Sequence, residues 1–135
     1  MQLEGITWYS PIGSYMKFSL NGATGIMSGT YHTAPGKMTA KLTGRFDPTG
    51  PGAFGWTVSW PKGNYPASSV TSWVANVKNI DDVIIIESSW MIREQLNGNS
   101  YYSTVCGCED YTREPPSEKT IELNKNKKQP HPLEV

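Results

Sequence analysis

An all-β chain folded as an eight-stranded antiparallel up-and-down barrel is what this sequence predicts, on three observations. Turn signals recur densely and at nearly regular spacing. The stretches between them alternate apolar and polar residues with the two-residue period of a strand. No segment shows convincing helical periodicity.

The breaks fall at Pro11-Ile12-Gly13, Asn21-Gly22, Ala34-Pro35-Gly36, Asp47 to Gly52, Pro61 to Pro66, Asn79 to Asp82 and Asn97-Gly98-Asn99. They leave eight pieces. The first, Ile6–Ser10, is short. The second, Ser14–Leu20, sets Tyr15, Lys17 and Ser19 against Met16, Phe18 and Leu20. Asn21-Gly22 after it is a strong two-residue hairpin signal. Gly25–Tyr31 and Met38–Phe46 follow. In Ala53–Trp60 the residues Trp56, Val58 and Trp60 share one face, so two indoles point the same way. Ser69–Val77, Val83–Arg93 and Tyr101–Thr112 complete the set. A closed barrel of about eight strands removes the exposed sheet edges and leaves room for one small ligand. The stretch 114–135 is rich in Pro, Lys, Asn and Glu and poor in aromatics, and is expected to be a flexible tail behind a barrel domain of residues 1–113.

Composition excludes several classes. A chain of 135 residues fits one domain with a core that needs no metal or disulfide staple. Twelve basic and twelve acidic residues cancel, which leaves no electrostatic footprint for nucleic acid or an anionic membrane. No apolar run approaches the roughly 20 residues that span a bilayer. Met1-Gln2-Leu3-Glu4 does not read as a signal peptide, so the protein is either intracellular or lacks a leader already removed. The two cysteines, Cys106 and Cys108, sit one residue apart and point to one strand face, where bridging them would strain the chain. They are a weak metal signal, since zinc wants four ligands and the two histidines are distant. The plain reading is two small apolar residues on a surface strand.

Taken together, Thr7-Trp8-Tyr9, Gly29-Thr30-Tyr31, Leu42-Thr43-Gly44-Arg45-Phe46, Gly55-Trp56-Thr57-Val58-Ser59-Trp60, Ser69-Val70-Thr71-Ser72-Trp73, Ser89-Trp90-Met91-Ile92 and Ser103-Thr104-Val105 with Gly107 resemble the avidin and streptavidin family. The blocks keep that family's order and nearly its spacing over residues 5 to 113. The resemblance implies an eight-stranded barrel that binds biotin without catalysis, secreted, and assembled as a homotetramer or dimer, with biotin as ligand and no cofactor or metal.

Biotin presents a ureido ring, an apolar thioether bicycle and a carboxylate tail, and a buried ureido group needs each polar atom paired. By position in the family, Ser10, Ser14 and Tyr31 would donate to the ureido oxygen; an asparagine is usual where Ser10 stands. Thr33 and Glu109 would accept from the ureido N–H groups. Asp110 is the alternative to Glu109, but strand parity places it on the opposite face, because Tyr111 matches an inward aromatic of the family. Thr71 would face the thioether sulfur and Ser69 the carboxylate. Trp60, Trp73 and Trp90 would line the pocket with Ile12 and Ile92, while Trp56 reads as core beneath it. Pro35, Gly36 and Lys37 stand where the family closes a loop over the ligand. Tyr101 takes the position from which a neighbouring subunit's tryptophan covers the mouth. Cys106 and Cys108 fall on the outward face of the last strand, where the family has a subunit contact.

Two other functions stand beside this one. A lipocalin-like barrel for a different small ligand is favoured by the altered residues Ser10, Glu109 and Tyr101. An enzyme would need a nucleophile with a base, and neither His32 nor His131 has such a partner by spacing.

Overall fold

The computed structural model describes residues 3–34, 37–50, 52–61, 68–94 and 104–125. Eight strands form one sheet in sequence order: β1 (Trp8–Tyr9), β2 (Tyr15–Asn21), β3 (Ile26–Thr33), β4 (Met38–Phe46), β5 (Ala53–Trp60), β6 (Ser69–Ile80), β7 (Val83–Glu94) and β8 (Thr104–Tyr111). Each pairs antiparallel with the next. The sheet closes on itself where Tyr9 meets Thr112. There the Tyr9 N–H donates to the Thr112 carbonyl at 2.8 Å, and the Thr112 N–H returns the bond at 2.9 Å. The Arg113 guanidinium lies 5.5 Å from the Trp8 ring centroid at this seam. The result is the predicted up-and-down barrel.

Alternation governs what is buried. Along β5, Phe54, Trp56, Val58 and Trp60 are buried, whereas Ala53, Thr57 and Ser59 are exposed. Along β6, Ser69, Thr71, Trp73 and Ala75 point inward between exposed neighbours. Phe54, Trp56, Trp73 and Tyr31 form a stepped aromatic column, with centroid separations of 5.8, 5.5 and 4.8 Å and interplanar angles of 27°, 15° and 32°. Such offset contacts add stability beyond the area they bury. Space is tight where strands cross this column. A Cβ at Gly44 would run into the Gly55 carbonyl oxygen and sit 2.8 Å from Trp56 Cα.

Several element ends differ from the sequence reading. The first strand is only Trp8–Tyr9, because Ser10 is already turning: its N–H donates to the Ser14 carbonyl, and Gly13 N–H donates to the Ser10 carbonyl. The two-residue hairpin expected at Asn21-Gly22 is a four-residue loop instead. Asn21 still pairs with Ile26, its Oδ1 accepts from Ala23 N–H, and its carbonyl accepts from Gly25 N–H, with Gly25 at φ 74°. Asn21 therefore closes the loop from the strand end, which the dipeptide signal does not distinguish from I′ geometry. The converse holds at Asn79 to Asp82. Only Asp81 and Asp82 form the turn, at φ 50° and 67°, and Asn79 and Ile80 join the strand. Positive φ at both central residues is the I′ hairpin requirement, which Asp meets.

The stretch after the barrel contains a helix, α1 (Glu118–Lys125), where the sequence shows no helical pattern. Ser117 begins it as an N-cap, its Oγ accepting from Thr120 N–H at 3.1 Å, and Glu118 stands in the first turn. The expected tail is thus helical over part of its length; residues 126–135 lie outside the described residues. The helix approaches the barrel rim at Gly13, where an added Cβ would lie 3.5 Å from Ile121 Cδ1 and 3.8 Å from Ala34 Cβ. No helix among the described residues is long and apolar enough to cross a membrane.

Candidate ligand-binding site

The β1–β2 turn and the end of β3, the end of β5, the start of β6 and the end of β7 lie at one end of the barrel, because adjacent strands alternate direction. Among the described residues, the buried polar side chains gather there. Ser10, Ser14, Thr33, Ser69, Thr71, Ser88 and Glu109 are all at most 6% exposed. The opposite end differs. It holds a cavity of about 380 Å³ lined mainly by Leu3, Phe18, Leu20, Phe46, Phe54 and Val77 with the 47–50 loop. Asp47 there is engaged by its own turn, accepting from Thr49 N–H at 2.9 Å and Thr49 Oγ1 at 2.6 Å. That cavity lacks convergent buried polar groups, so the polar end is the better candidate for specific recognition.

The turn carrying Ser10 and Ser14 is built from its own hydroxyls. Ser10 Oγ accepts from Ser14 N–H at 3.1 Å, and Ser14 Oγ accepts from Ala34 N–H at 3.0 Å. Each serine acts there as an acceptor and keeps one proton to donate. Ser14 is also a hydrogen-bond partner of the Tyr31 hydroxyl. Tyr31 sits between indoles, 4.8 Å from Trp73 and 5.9 Å from Trp60, the second contact edge-on at 79°. Trp60 Nε1 donates to Thr71 Oγ1 at 3.0 Å. Trp73 faces Trp90 across the β6–β7 ladder, and Thr71 faces Ile92.

On β8 the alternation is Glu109 buried, Asp110 exposed and Tyr111 buried. Glu109 is therefore the inward carboxylate and Asp110 the outward one. The Asp110 carboxyl is raised from its ordinary range by partial burial and by the Glu87 charge beside it. The Tyr31 phenol is pushed well above its ordinary value by burial, reinforced by the negative charge of Glu109. Tyr111 is raised in the same way, by burial first and then by Tyr31 and Glu109. Both phenols are protonated donors at neutral pH.

Buried polar atoms without a hydrogen-bond partner among the described residues include Thr33 Oγ1 and Trp90 Nε1 here, with the indole Nε1 atoms of Trp56 and Trp73. An orphaned hydroxyl in a fully buried position costs roughly 1–3 kcal/mol. Such a cost is recovered when a ligand supplies the missing partner.

The predicted residues are thus largely brought together. Ser10, Ile12, Ser14, Tyr31, Thr33, Trp60, Ser69, Thr71, Trp73, Trp90, Ile92 and Glu109 are buried at or below this end. Lys37 is exposed, at φ 51°. Pro35, Gly36 and Tyr101 lie outside the described residues. Trp56 stacks on Trp73 from the barrel interior, as core. His32 faces outward, stacked on Tyr15 at 4.7 Å, with Nδ1 2.8 Å from Thr39 Oγ1. Two residues were missed. Ser88 Oγ donates to the Glu109 carbonyl at 2.6 Å and holds that strand position. The Tyr111 hydroxyl lies 2.7 Å from that of Tyr31. Parity alone put Tyr111 inward; what its hydroxyl would meet required the barrel to close.

Among the described residues no group of three or more His, Cys, Asp or Glu side chains could hold a metal ion. Cys106 and Cys108 are exposed on the outer face, where Cys108 Sγ lies 3.6 Å from Ser89 Oγ.

The model of the Avidin family matches residues 1–114. The chain belongs to the avidin family. That family takes biotin as its ligand and has no known cofactor. Solved structures agree in fold with this avidin-family barrel. Xenavidin is 25% identical with a TM-score of 0.72, the match covering 84% of this chain and 97% of that one. A biotin binding protein from chicken is 26% identical with a TM-score of 0.69, covering 84% and 96%. The rhizavidin–biotin complex, at 22% identity and a TM-score of 0.64 over 84% and 93%, is a likeness of fold.

Proposed function

We propose that this protein binds biotin noncovalently and without catalysis in the polar end of its barrel. The observation that carries the reading is the buried hydroxyl of Thr33, partnerless among the described residues, at the rim of a cluster of Ser10, Ser14, Tyr31 and Glu109 enclosed by indoles. A ureido group has the complement of that cluster. Its carbonyl takes the protons of Ser10, Ser14 and Tyr31, and its two N–H groups go to Thr33 and Glu109. Trp60, Trp73, Trp90, Ile12 and Ile92 enclose the bicycle, Thr71 faces the sulfur, and Ser69 receives the carboxylate, with the loop of Pro35, Gly36 and Lys37 over the tail. Tyr101 of a neighbouring subunit would cover the mouth.

A homo-oligomer, dimer or tetramer, fits the outer face of β6 to β8. Val70, Val74 and Met91 are 44%, 68% and 55% exposed there, in one sheet region with Cys106 and Cys108. A second copy of the chain would cover this apolar surface. In a secreted setting, Cys108 could meet its own copy in a disulfide. A non-reducing gel in which reductant changes nothing would remove that link.

Isothermal titration with biotin tests the main reading. One site per chain with a tight isotherm is expected. Absence of heat at two temperatures would mean a barrel kept for a different small ligand.

A further inference from the structure

The outer face of β7 and β8 carries its charges at its two ends. Arg93 stands beside Thr104 at one end, and Glu87 beside Asp110 at the other. Between them lie two uncharged rows, Met91 with Cys106 and Ser89 with Cys108. Val74 of β6 extends the second of these rows. The cation and the carboxylates are therefore equally far from the line between the two middle rows.

Neither end is balanced within the chain. Arg93 Nη1 donates to a hydroxyl, Thr104 Oγ1, at 2.7 Å, and this bond draws the guanidinium over β8. At the other end Glu87 and Asp110 face each other directly across the ladder, where like charges destabilise a sheet. The neighbouring polar groups serve Glu87. Lys78 Nζ lies 3.6 Å from Glu87 Oε2, and Asn76 Nδ2 donates to Glu87 Oε1 at 3.2 Å. Asp110 makes no ion pair among the described residues. Burial and the Glu87 charge raise its carboxyl, and Lys78 offsets this only in part.

A twofold axis lying in this face has two simple directions. Running along the strands, it sets each row of one copy over the same row of the other, cation on cation and carboxylates on carboxylates. Running across the strands between the two middle rows, it reverses their order. The uncharged rows then meet, and each guanidinium comes over the other copy's carboxylate end. The charges select the second direction.

We propose that two copies of the chain associate through this face about a twofold axis across the strands, with each Arg93 paired to Asp110 of the partner subunit. This rests on the reading of β6 to β8 as a homo-oligomer contact. Val74 and Met91, 68% and 55% exposed, supply the apolar middle that association covers. The two ion pairs at its ends set the register and exclude the other direction.

The test follows Arg93→Glu and Asp110→Arg, each alone and then mixed, by sedimentation velocity over a range of concentrations. Both positions are exposed, so the barrel should fold unchanged. Wild type should associate. Each variant alone should associate at least roughly tenfold more weakly, because it sets like charges against each other twice. In an equal mixture, one chain of each kind restores both opposite-charge pairs, and association should return toward wild-type strength. A residue that merely supported its own barrel would give no such recovery. Wild type that stays monomeric overturns the homo-oligomer reading, and this pairing with it. An oligomer that neither variant weakens, or a mixture no stronger than its components, overturns the pairing alone.

Discussion

Thr71→Val removes one atom whose loss the barrel should feel clearly. Thr71 is 0% exposed and Trp60 1% exposed, and the Trp60 indole N–H donates to Thr71 Oγ1 at 3.0 Å. Valine keeps the branched shape but offers no acceptor, so the Trp60 N–H is left buried and unpaired. The cost of such an orphan is roughly 1–3 kcal/mol, and the new methyl regains little of it. For a domain of this size that lowers Tm by roughly 3–6 °C per kcal/mol. Denaturant unfolding of the ligand-free protein, followed by tryptophan fluorescence at one protein concentration, measures it. The decisive comparison is with the Trp60→Phe background, where no donor remains to be orphaned. There the same substitution should cost less by about 1–2 kcal/mol. A loss that is absent in wild type, or equal in both backgrounds, would refute the claim that this hydrogen bond fixes Trp60.

Gly44→Ala should prevent a normal barrel, since its methyl would strike the Gly55 carbonyl and crowd Trp56 Cα at 2.8 Å; circular dichroism and melting should show loss of the fold or a destabilisation above about 3 kcal/mol. Stability should also depend on alkali. Burial keeps Tyr31 and Tyr111 protonated in the folded state, while in the unfolded chain they titrate near about 10. The unfolded state then binds fewer protons, so stability is fully present below that pH and declines as pH rises past it. Melts between about pH 8 and 11 check this, and Tyr111→Phe should flatten part of the slope. Ile121→Asp should undock α1 from the Gly13 turn; the cost, read by denaturant unfolding, should be about 1–2 kcal/mol for a half-buried isoleucine.

Strand existence was legible because a half-buried strand leaves a period-two trace. Trp56, Val58 and Trp60 showed their common face before any coordinates did. The same parity chose Glu109 over Asp110. Turn lengths were less legible. Asn21-Gly22 and Asp81-Asp82 differ in which residues take positive φ, and Asn21 diverts its loop by side-chain and carbonyl bonds that the dipeptide does not reveal. Helix α1 was hidden for another reason. It is only eight residues long and mostly polar, so it leaves no apolar stripe to read. The Tyr31–Tyr111 pair joins residues far apart in sequence. No local pattern encodes such a meeting.

The joint between the first and last strands has a kinetic meaning. Every other strand pairing unites segments adjacent along the chain, and each can zip from its own turn. The Tyr9–Thr112 joint must wait until the whole meander has curled, and it then ties a very long loop with one pair of backbone bonds and the Arg113–Trp8 contact. It should be the last part of the wall to form and the first to gape, with amide exchange faster at Tyr9 and Thr112 than within the twelve-residue β6–β7 ladder. Ser10 stands on one lip of that gap, and Glu109 and Tyr111 on the other. A ligand gripped from both lips would act as a latch, slowing the breathing of the barrel along the line where it is least sewn.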